Sequence, residues 1–318
     1  MAHLDLTALR RRLPPRPITR FAPSPTGFLH LGHVANAVYV WGIAGALRGR
    51  VLLRLEDHDR GRCRPEYERA ILDDLEWLGL VPGPGILAEL RGGGASSCRQ
   101  SDCERDYAAA LERLSRAARV YGCDCSRKEI AAEMGDAFNE ETRYPGRCRE
   151  RGLAPTAGRG IRVLLEPGGE TFEDAALGAM TQTPSEQCGD LLLRDRNGNW
   201  TYQFAVVVDD ERQGVDLVIR GEDLLSSTGR QLRLGRLLGR ERPPVFLHHP
   251  LLRKPDGAKL SKSSGDTGIG ELRRAGATPG KALGRAAWLT GLIAEPRELA
   301  PGELAGLFGE TGGEQVSP

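Results

Sequence analysis

Two short motifs in this chain combine histidine, glycine and lysine in ways that suit phosphate chemistry. The first reads RFAPSPTG over residues 20–27 and is followed by HLGH over residues 30–33. Glycines permit close approach of a phosphate to the backbone, and a helix that starts behind them attracts anions. His30 and His33, three residues apart, would share one face of the first helical turn, where both could donate hydrogen bonds to a triphosphate.

The second motif, KLSKS over residues 259–263, follows Asp256-Gly257. Lys259 and Lys262 in a glycine-containing loop are point charges that could close on a departing pyrophosphate. Each motif alone has a simpler interpretation, as a surface loop with two histidines or as a solvated basic loop. Their occurrence in one chain favours a nucleotide-binding enzyme.

Cysteines form a second candidate site. Cys123 and Cys125 enclose one residue, and Cys148 follows in the same region. Three thiolates at such spacing suit a tetrahedral zinc ion that would hold a segment poor in apolar residues. No histidine lies between residues 120 and 187, so the fourth ligand stays open. The alternative is three reduced thiols with no metal.

The elements around the first motif follow a nucleotide-binding α/β pattern. The predicted order is strand, loop, helix and strand. It consists of an extended segment at 17–22, a helix from Leu31 to about Leu47 and an apolar strand at 51–55. Residues 81–100 are predicted to be a loop, and residues 203–208 a strand or buried segment. Further helices are predicted over 65–77, 101–118 and 226–238, and further strands over 191–195 and 216–220.

The predicted fold class is α/β, with a Rossmann-like parallel sheet. The expected divisions are a loose lead over 1–16, a first catalytic half over 17–119, an insertion with the candidate zinc site over 120–187, a second half with the lysine loop over 188–265, and a short helical appendage over 266–318.

Composition narrows the class of protein further. The net charge of +1 provides no overall basic field, so a nucleic acid would have to be bound by local arginine patches. We see no run of about 18 apolar residues and no export leader. Seven cysteines, an odd number, argue against a disulfide framework. We therefore expect a cytoplasmic monomer with no membrane partner.

Four segments together resemble a known family. They resemble the glutamyl/glutaminyl branch of class I aminoacyl-tRNA synthetases. The four segments, which accompany the KLSKS loop, are RFAPSPTGFLHLG (20–32), RLEDHD (54–59), YQFAVVVDD (202–210) and VIRGEDL (218–224). The resemblance covers residues 17–265. It implies a class I catalytic core, with ATP and Mg²⁺, that activates L-glutamate as an adenylate.

The resemblance also implies roles for individual residues. An arginine guanidinium can bind a carboxylate through two parallel hydrogen bonds. Glu56 can pair with an ammonium group, and Tyr202 can donate a fixed hydrogen bond. The implied catalytic residues are His30, His33, Lys259 and Lys262, of which His30, His33 and Lys262 bind ATP. The implied glutamate site consists of Arg20, Phe21, Ala22, Pro23, Ser24, Glu56, Tyr202 and Arg220. The implied zinc ligands are Cys123, Cys125, Tyr144 and Cys148, with Asp124, Cys98 and Cys103 as substitutes for the tyrosine.

The chain ends where an anticodon-binding domain would begin in this branch. The resemblance is therefore strongest to a truncated group that activates glutamate without tRNA and transfers it to queuosine at the wobble position of tRNA(Asp). That tRNA is the implied partner. The alternatives are a minimal glutamyl-tRNA synthetase that charges tRNA(Glu), a small-molecule nucleotidyltransferase, and an inactive regulatory tRNA-binding paralogue. The intact motif residues count against an inactive protein.

Overall fold

The computed structural model describes residues 4–134, 143–252 and 268–309. The lysine motif at 259–263 therefore lies outside the described residues. The strands are Ile18–Phe21 (β1), Arg50–Leu53 (β2), Val120–Cys123 (β3), Gly160–Val163 (β4), Glu170–Asp174 (β5), Gly178–Gln182 (β6), Leu191–Arg194 (β7), Leu217–Gly221 (β8) and Val245–His249 (β9).

The helices alternate with these strands in the first and last thirds of the chain. They are Leu6–Arg11 (α1), Leu31–Ala46 (α2), Pro65–Trp77 (α3), Ile86–Arg91 (α4), Glu104–Ala117 (α5), Arg127–Met134 (α6), Pro184–Gln187 (α7), Tyr202–Arg212 (α8), Thr228–Leu237 (α9), Ile269–Arg274 (α10) and Pro279–Leu289 (α11). Single 3₁₀ segments run over Gln100–Asp102, Glu222–Ser227 and Pro301–Leu307. In the described part of the chain no helix is long and apolar enough to cross a membrane.

Parallel strand pairs form the centre of the molecule. Strand β1 pairs with β2, and β8 pairs with β9, both in parallel register. The Asp216 amide just before β8 donates to the Ile18 carbonyl of β1 over 2.9 Å, which joins the two pairs. Strand β5 continues the layer beyond β9 and carries β6 as an antiparallel edge. The predicted α/β class with a parallel sheet is confirmed.

Helix α2 links the first strand pair to the C-terminal segment. The methyl group of an alanine at Gly42 would lie 2.3 Å from the Phe308 ring, so only glycine allows this close packing. Leu283, Leu304 and Phe308 belong to the same buried core as the residues of α2. The predicted C-terminal segment contains α10, α11 and a 3₁₀ segment, and it contributes to the main core.

A smaller antiparallel sheet, with the strand order β3-β4-β7, stands apart from the parallel layer. The predicted insertion boundary at residue 187 divides this sheet, because β7 begins at Leu191 and pairs with β4. The same insertion range also contains β5, which pairs with β9 of the parallel layer. A single linear insertion therefore does not describe these residues.

Two local predictions are wrong, and of the strand or buried segment predicted over residues 203–208 only the burial is confirmed. Residues 1–16 were expected to be loose, but α1 forms where Leu6 and Leu9, three residues apart, are buried together. The predicted loop over 81–100 contains α4, which is anchored by the buried Leu90. Residues 203–208 form part of a helix rather than a strand. Every residue from Phe204 to Asp210 is buried, so both faces of α8 are covered and the apolar run shows no helical period.

Candidate active site

A pocket of about 620 Å³ opens at the carboxyl ends of β1 and β8, beside the N-terminus of α2. Ligands bind at this edge of parallel sheets in α/β folds. Ten residues predicted from the sequence to serve this site line the pocket, and they are Arg20, Phe21, Ala22, Pro23, Ser24, His30, His33, Glu56, Tyr202 and Arg220. The structure therefore brings the first motif, the acidic segment after β2 and the later segments to one place.

The two histidines of the HLGH motif cap helix α2. The Nδ1 atom of His30 accepts from the Gly32 amide over 3.1 Å, and Nδ1 of His33 accepts from the His30 amide over 3.1 Å. A neutral imidazole that accepts at Nδ1 carries its proton on Nε2. Both side chains thereby become Nε2–H donors at the wall of the pocket, at the positive end of a helix. Gly32 is required for this arrangement, because a Cβ atom there would lie 2.9 Å from the His30 ring.

Beneath the pocket lies a buried network of charges centred on Arg54, whose side chain is fully buried. Its Nη1 donates to Asp210 over 2.7 Å and its Nη2 donates to Glu56 over 3.1 Å. Asp209 stands 3.7 Å from its Nε. Arg20 joins the network through a 3.2 Å contact with Asp210. Carboxylates thus surround Arg54, and its pairing with Glu56 fixes the orientation of a pocket carboxylate.

The titration behaviour of the network follows from these contacts. Burial opposes ionisation of Asp210, but the charges of Arg20 and Arg54 outweigh it and hold the pKa of Asp210 below its ordinary value. Burial raises the pKa of Tyr202, so its hydroxyl keeps its proton at neutral pH. The pocket therefore offers a neutral hydroxyl, the carboxyl group of Glu56 in contact with Arg54, and arginines.

Arg220 differs from Arg20 and Arg54 in the kind of partner it has. Among the residues the structure describes, its hydrogen bonds go to uncharged side chains: Nη1 to Gln231 over 2.7 Å, Nη2 to Thr228 over 2.9 Å and Nε to His248 over 3.0 Å, with Tyr202 as a further partner. Burial and the nearby Arg20 lower its pKa. A buried cation without a carboxylate in contact is costly unless a ligand supplies the negative charge.

Sequence reasoning missed several residues of this site. Asp209 and Asp210 were identified only as part of a matching segment, and no role was predicted for Arg54. Asn36 and His249 also line the pocket, and they contact each other over 2.9 Å. Two adjacent acidic residues at the end of an apolar run were the available signal, because carboxylates in such a run need buried cationic partners.

The predicted thiol cluster is assembled in the structure. The three Sγ atoms of Cys123, Cys125 and Cys148 lie within 4.8 Å of one another, and those of Cys125 and Cys148 are 3.6 Å apart. Zn–S bonds of about 2.3 Å at tetrahedral angles place sulfurs about 3.8 Å apart. The Tyr144 hydroxyl lies 3.4 Å from the Cys123 sulfur and 3.8 Å from the Cys125 sulfur. The donor set of three sulfurs and one phenol oxygen therefore fits a tetrahedral metal ion.

Burial raises the pKa of Cys125 to about 12, whereas hydrogen-bond donors favour thiolate character at Cys148. Burial opposes it, but the Asp124 amide, the Tyr144 hydroxyl and other donors lower the pKa of Cys148 to about 7. Arg162 donates to the Cys123 sulfur over 3.4 Å.

The substitutes considered for Tyr144 are placed elsewhere. Asp124 pairs with Arg159 over 2.9 Å. Among the described residues only Cys123, Cys125 and Cys148 form a potential metal cluster, which leaves Cys98 and Cys103 outside it.

Comparison with known proteins agrees with this geometry. The family model described as tRNA synthetases class I (E and Q), catalytic domain, matches residues 18–298. The chain belongs to this family. A curated relative named glutamyl-Q tRNA(Asp) synthetase, from Symbiobacterium thermophilum, is 40% identical over 301 residues, which cover 91% of each chain.

Longer relatives match over a part of their length. A glutamate–tRNA ligase 1 from Acidithiobacillus ferrooxidans is 38% identical over 82% of this chain, and the match covers 54% of that protein. A crystal structure of a glutamate tRNA ligase from Elizabethkingia meningosepticum, in complex with its amino acid, superposes with a TM-score of 0.74 at 28% identity. It covers 91% of this chain and 64% of the ligase.

Proposed function

We propose that this protein activates L-glutamate with ATP and transfers the glutamyl group to queuosine at the wobble position of tRNA(Asp). The observation that carries the proposal is the match to glutamyl-Q tRNA(Asp) synthetases over 91% of both chains. In the activation step a carboxylate oxygen of glutamate attacks the α-phosphorus of ATP and pyrophosphate leaves. The adenylate then transfers glutamate to a hydroxyl group of the acceptor and releases AMP.

The pocket supplies charges that complement glutamate. Arg20 and Arg220 provide cationic walls for carboxylates, Glu56 provides the negative group for the ammonium, and the neutral Tyr202 hydroxyl can donate a hydrogen bond. Arginine binds a carboxylate strongly where water is excluded, because both partners of the hydrogen bonds are charged. These residues are proposed to bind and orient the amino acid.

His30 and His33 are proposed to stabilise the phosphate charge. Their Nε2–H groups stand at the N-terminus of α2, where donors and helix dipole act on the same anion. Such a displacement depends on positioning and charge stabilisation, and it needs no protein base. Mg²⁺ would accompany ATP, as class I synthetases require. Lys259 and Lys262, outside the described residues, are proposed to contact the triphosphate.

A test of this proposal is glutamate-dependent ATP–pyrophosphate exchange without tRNA, with glutamine and aspartate as controls. Exchange with glutamate alone is expected, followed by transfer of radiolabelled glutamate to queuosine-containing tRNA(Asp) and not to the same tRNA with guanosine at that position. Exchange that appears only with tRNA(Glu), followed by charging of that tRNA, would support the second candidate, a minimal glutamyl-tRNA synthetase. That candidate is favoured by the 38% identity with the catalytic part of a glutamate–tRNA ligase. The absence of pyrophosphate exchange under both conditions would contradict both functions.

The second part of the proposal is a structural zinc ion held by Cys123, Cys125, Cys148 and Tyr144. The sulfur spacing and the nearby phenol oxygen support this donor set. The ion would fix the connection between β3 and β4, where few apolar residues are available to form a core.

Cys125→Ser should lower the zinc content and the melting temperature together, as measured by atomic absorption and calorimetry. Cys188→Ser is the matched control, because that buried thiol donates to the Pro184 carbonyl outside the cluster. Unchanged metal content in Cys125→Ser would contradict the zinc site.

A further inference from the structure

Arg220 is held by a line of side chains that crosses three neighbouring strands. Arg220 of β8 stands directly opposite His248 of β9 in the parallel register. Asp174, the last residue of β5, stands opposite Phe246 of the same β9 strand. His248 and Asp174 have no exposed side-chain surface, so solvent does not compete with their contact. The sheet register therefore fixes the order arginine, histidine, carboxylate.

The hydrogen bonds along this line have a defined direction. The Arg220 Nε–H donates to Nε2 of His248 over 3.0 Å. Nδ1 of His248 lies 2.6 Å from an Asp174 carboxylate oxygen. An arginine can only donate, so the Nε2 atom of His248 must accept, and its proton must sit on Nδ1 and point to Asp174. His248 is thereby a neutral imidazole in one tautomer.

Asp174 is committed to this role by its other contacts. Its Oδ1 accepts from the amides of Ala176 and Leu177, each over 3.0 Å, in the turn that joins β5 and β6. The carboxylate therefore cannot rotate away without breaking that turn. The side chain of His248 lies between Asp174 and Arg220. The negative charge of Asp174 therefore stabilises the Nδ1–H tautomer of His248, while Arg220 has no direct carboxylate partner among the described residues.

We propose that Asp174 and His248 are positioning residues for the substrate carboxylate. They orient the guanidinium of Arg220 through a neutral relay and leave its positive charge for the amino acid in the pocket. A carboxylate in direct contact with Arg220 would hold the guanidinium as firmly, but it would neutralise the charge that the substrate has to meet. The inference rests on the proposed function, since it takes Arg220 to bind a carboxylate of glutamate.

Two substitutions of His248 separate the halves of the relay. The amide of asparagine reaches the place of Nδ1, so His248→Asn can keep the contact with Asp174 but gives Arg220 no acceptor. The longer glutamine reaches the place of Nε2, so His248→Gln can keep an acceptor for Arg220. The two variants are both uncharged and polar, and each serves as the control for the other.

The variants are compared by calorimetric titration with L-glutamate and by pyrophosphate exchange. We expect His248→Asn to weaken glutamate binding about tenfold or more, because a hydrogen bond to a charged group is lost. His248→Gln should stay within about threefold of wild type. The KM for glutamate should follow these changes, while kcat at saturating glutamate and the KM for ATP stay near their wild-type values. Equal glutamate affinities in the two variants, or an equal loss in kcat for both, would overturn the proposal.

A second measurement reads the wild-type protein itself, and a variant serves only to assign the signal. Two-bond ¹H–¹⁵N correlation spectra of histidine-labelled wild-type protein report the tautomer of each imidazole, and His248→Gln assigns the signal. We expect the Nδ1–H tautomer at neutral pH, and an Nε2–H signal would overturn the relay. If the wild-type chain fails to bind glutamate, the proposed function is wrong, while the tautomer still decides whether the relay exists.

Discussion

Asp210→Asn tests whether the charge network beneath the pocket stabilises the fold. Asp210 accepts hydrogen bonds from Arg54 and Arg20, and its side chain is only 8% exposed. In the wild type, Arg20, Arg54 and Arg212 are balanced by Glu56, Asp209 and Asp210. The substitution keeps the shape and removes one negative charge, so the two arginines retain a buried charge that is no longer balanced.

The expected size follows from the burial of these groups. Breaking a buried ion pair by removing one partner costs about 3–5 kcal/mol, because the remaining charge stays desolvated. An unfolding entropy of about 2.1 cal/mol/K per residue over a chain of 318 residues gives about 0.7 kcal/mol/K. The melting temperature should therefore fall by about 5–7 °C.

The assay is calorimetric melting with a matched surface variant. Asp73→Asn removes a carboxylate that pairs with Arg91 over 2.8 Å, where the two side chains are 51% and 38% exposed. Exposed pairs contribute at most about 1 kcal/mol, so this control should melt close to wild type.

The pH dependence of the effect has a defined sign. The pKa of Asp210 is lowered in the fold, so its contribution is present above the ordinary aspartate pKa and is lost as pH falls through the folded value. The difference between Asp210→Asn and wild type should thus persist from pH 8 to pH 5. If Asp210→Asn and Asp73→Asn have the same melting temperature at both pH values, the network does not stabilise the fold and the reasoning is refuted.

Three further outcomes are expected. Gly32→Ala should slow pyrophosphate exchange, because the methyl group displaces the His30 ring from its hydrogen bond with the Gly32 amide. Gly270→Ala, also at the second position of a helix but with open space around its Cβ, should leave exchange intact. Burial raises the pKa of Asp74 to about 6, so ionisation of this carboxyl group destabilises the fold as pH rises from about 4 to 6. Asp74→Asn should therefore raise the melting temperature more at pH 8 than at pH 4. An equal gain at both pH values would contradict this sign. Lys262→Ala should slow adenylate formation by orders of magnitude without a change in the melting curve, and near-normal exchange would remove that lysine from the mechanism.

The first nucleotide-binding unit could be predicted from the sequence because its signals are local. Helix α2 has apolar residues at helical spacing, and α3 begins at a proline, so their bounds agree with the structure within a residue or two. The opposite holds for α8, where burial on both faces removes the period. The contact of Arg54 with Asp210 was also out of reach, because Asp210 lies far along the chain and only the tertiary fold, in which a hydrogen bond from Asp216 joins β8 to β1, brings the two together.

Arg20, Arg54 and Arg220, the buried arginines in and beneath the pocket, suggest how the proposed site distinguishes its amino acid. Arg20 and Arg54 share the carboxylate of Asp210, so each has an ionic partner within the fold. Arg220 faces neutral acceptors, so its desolvation is compensated only when a ligand brings a carboxylate. An amino acid with an amide or a methyl group at that point leaves the guanidinium buried and unbalanced, and a site of this kind rejects such analogues far more strongly than a well-shaped apolar pocket can. If Arg220 binds a carboxylate of glutamate as proposed, discrimination depends on keeping it without a carboxylate partner of its own, and a neutral His248 between it and Asp174 would achieve this.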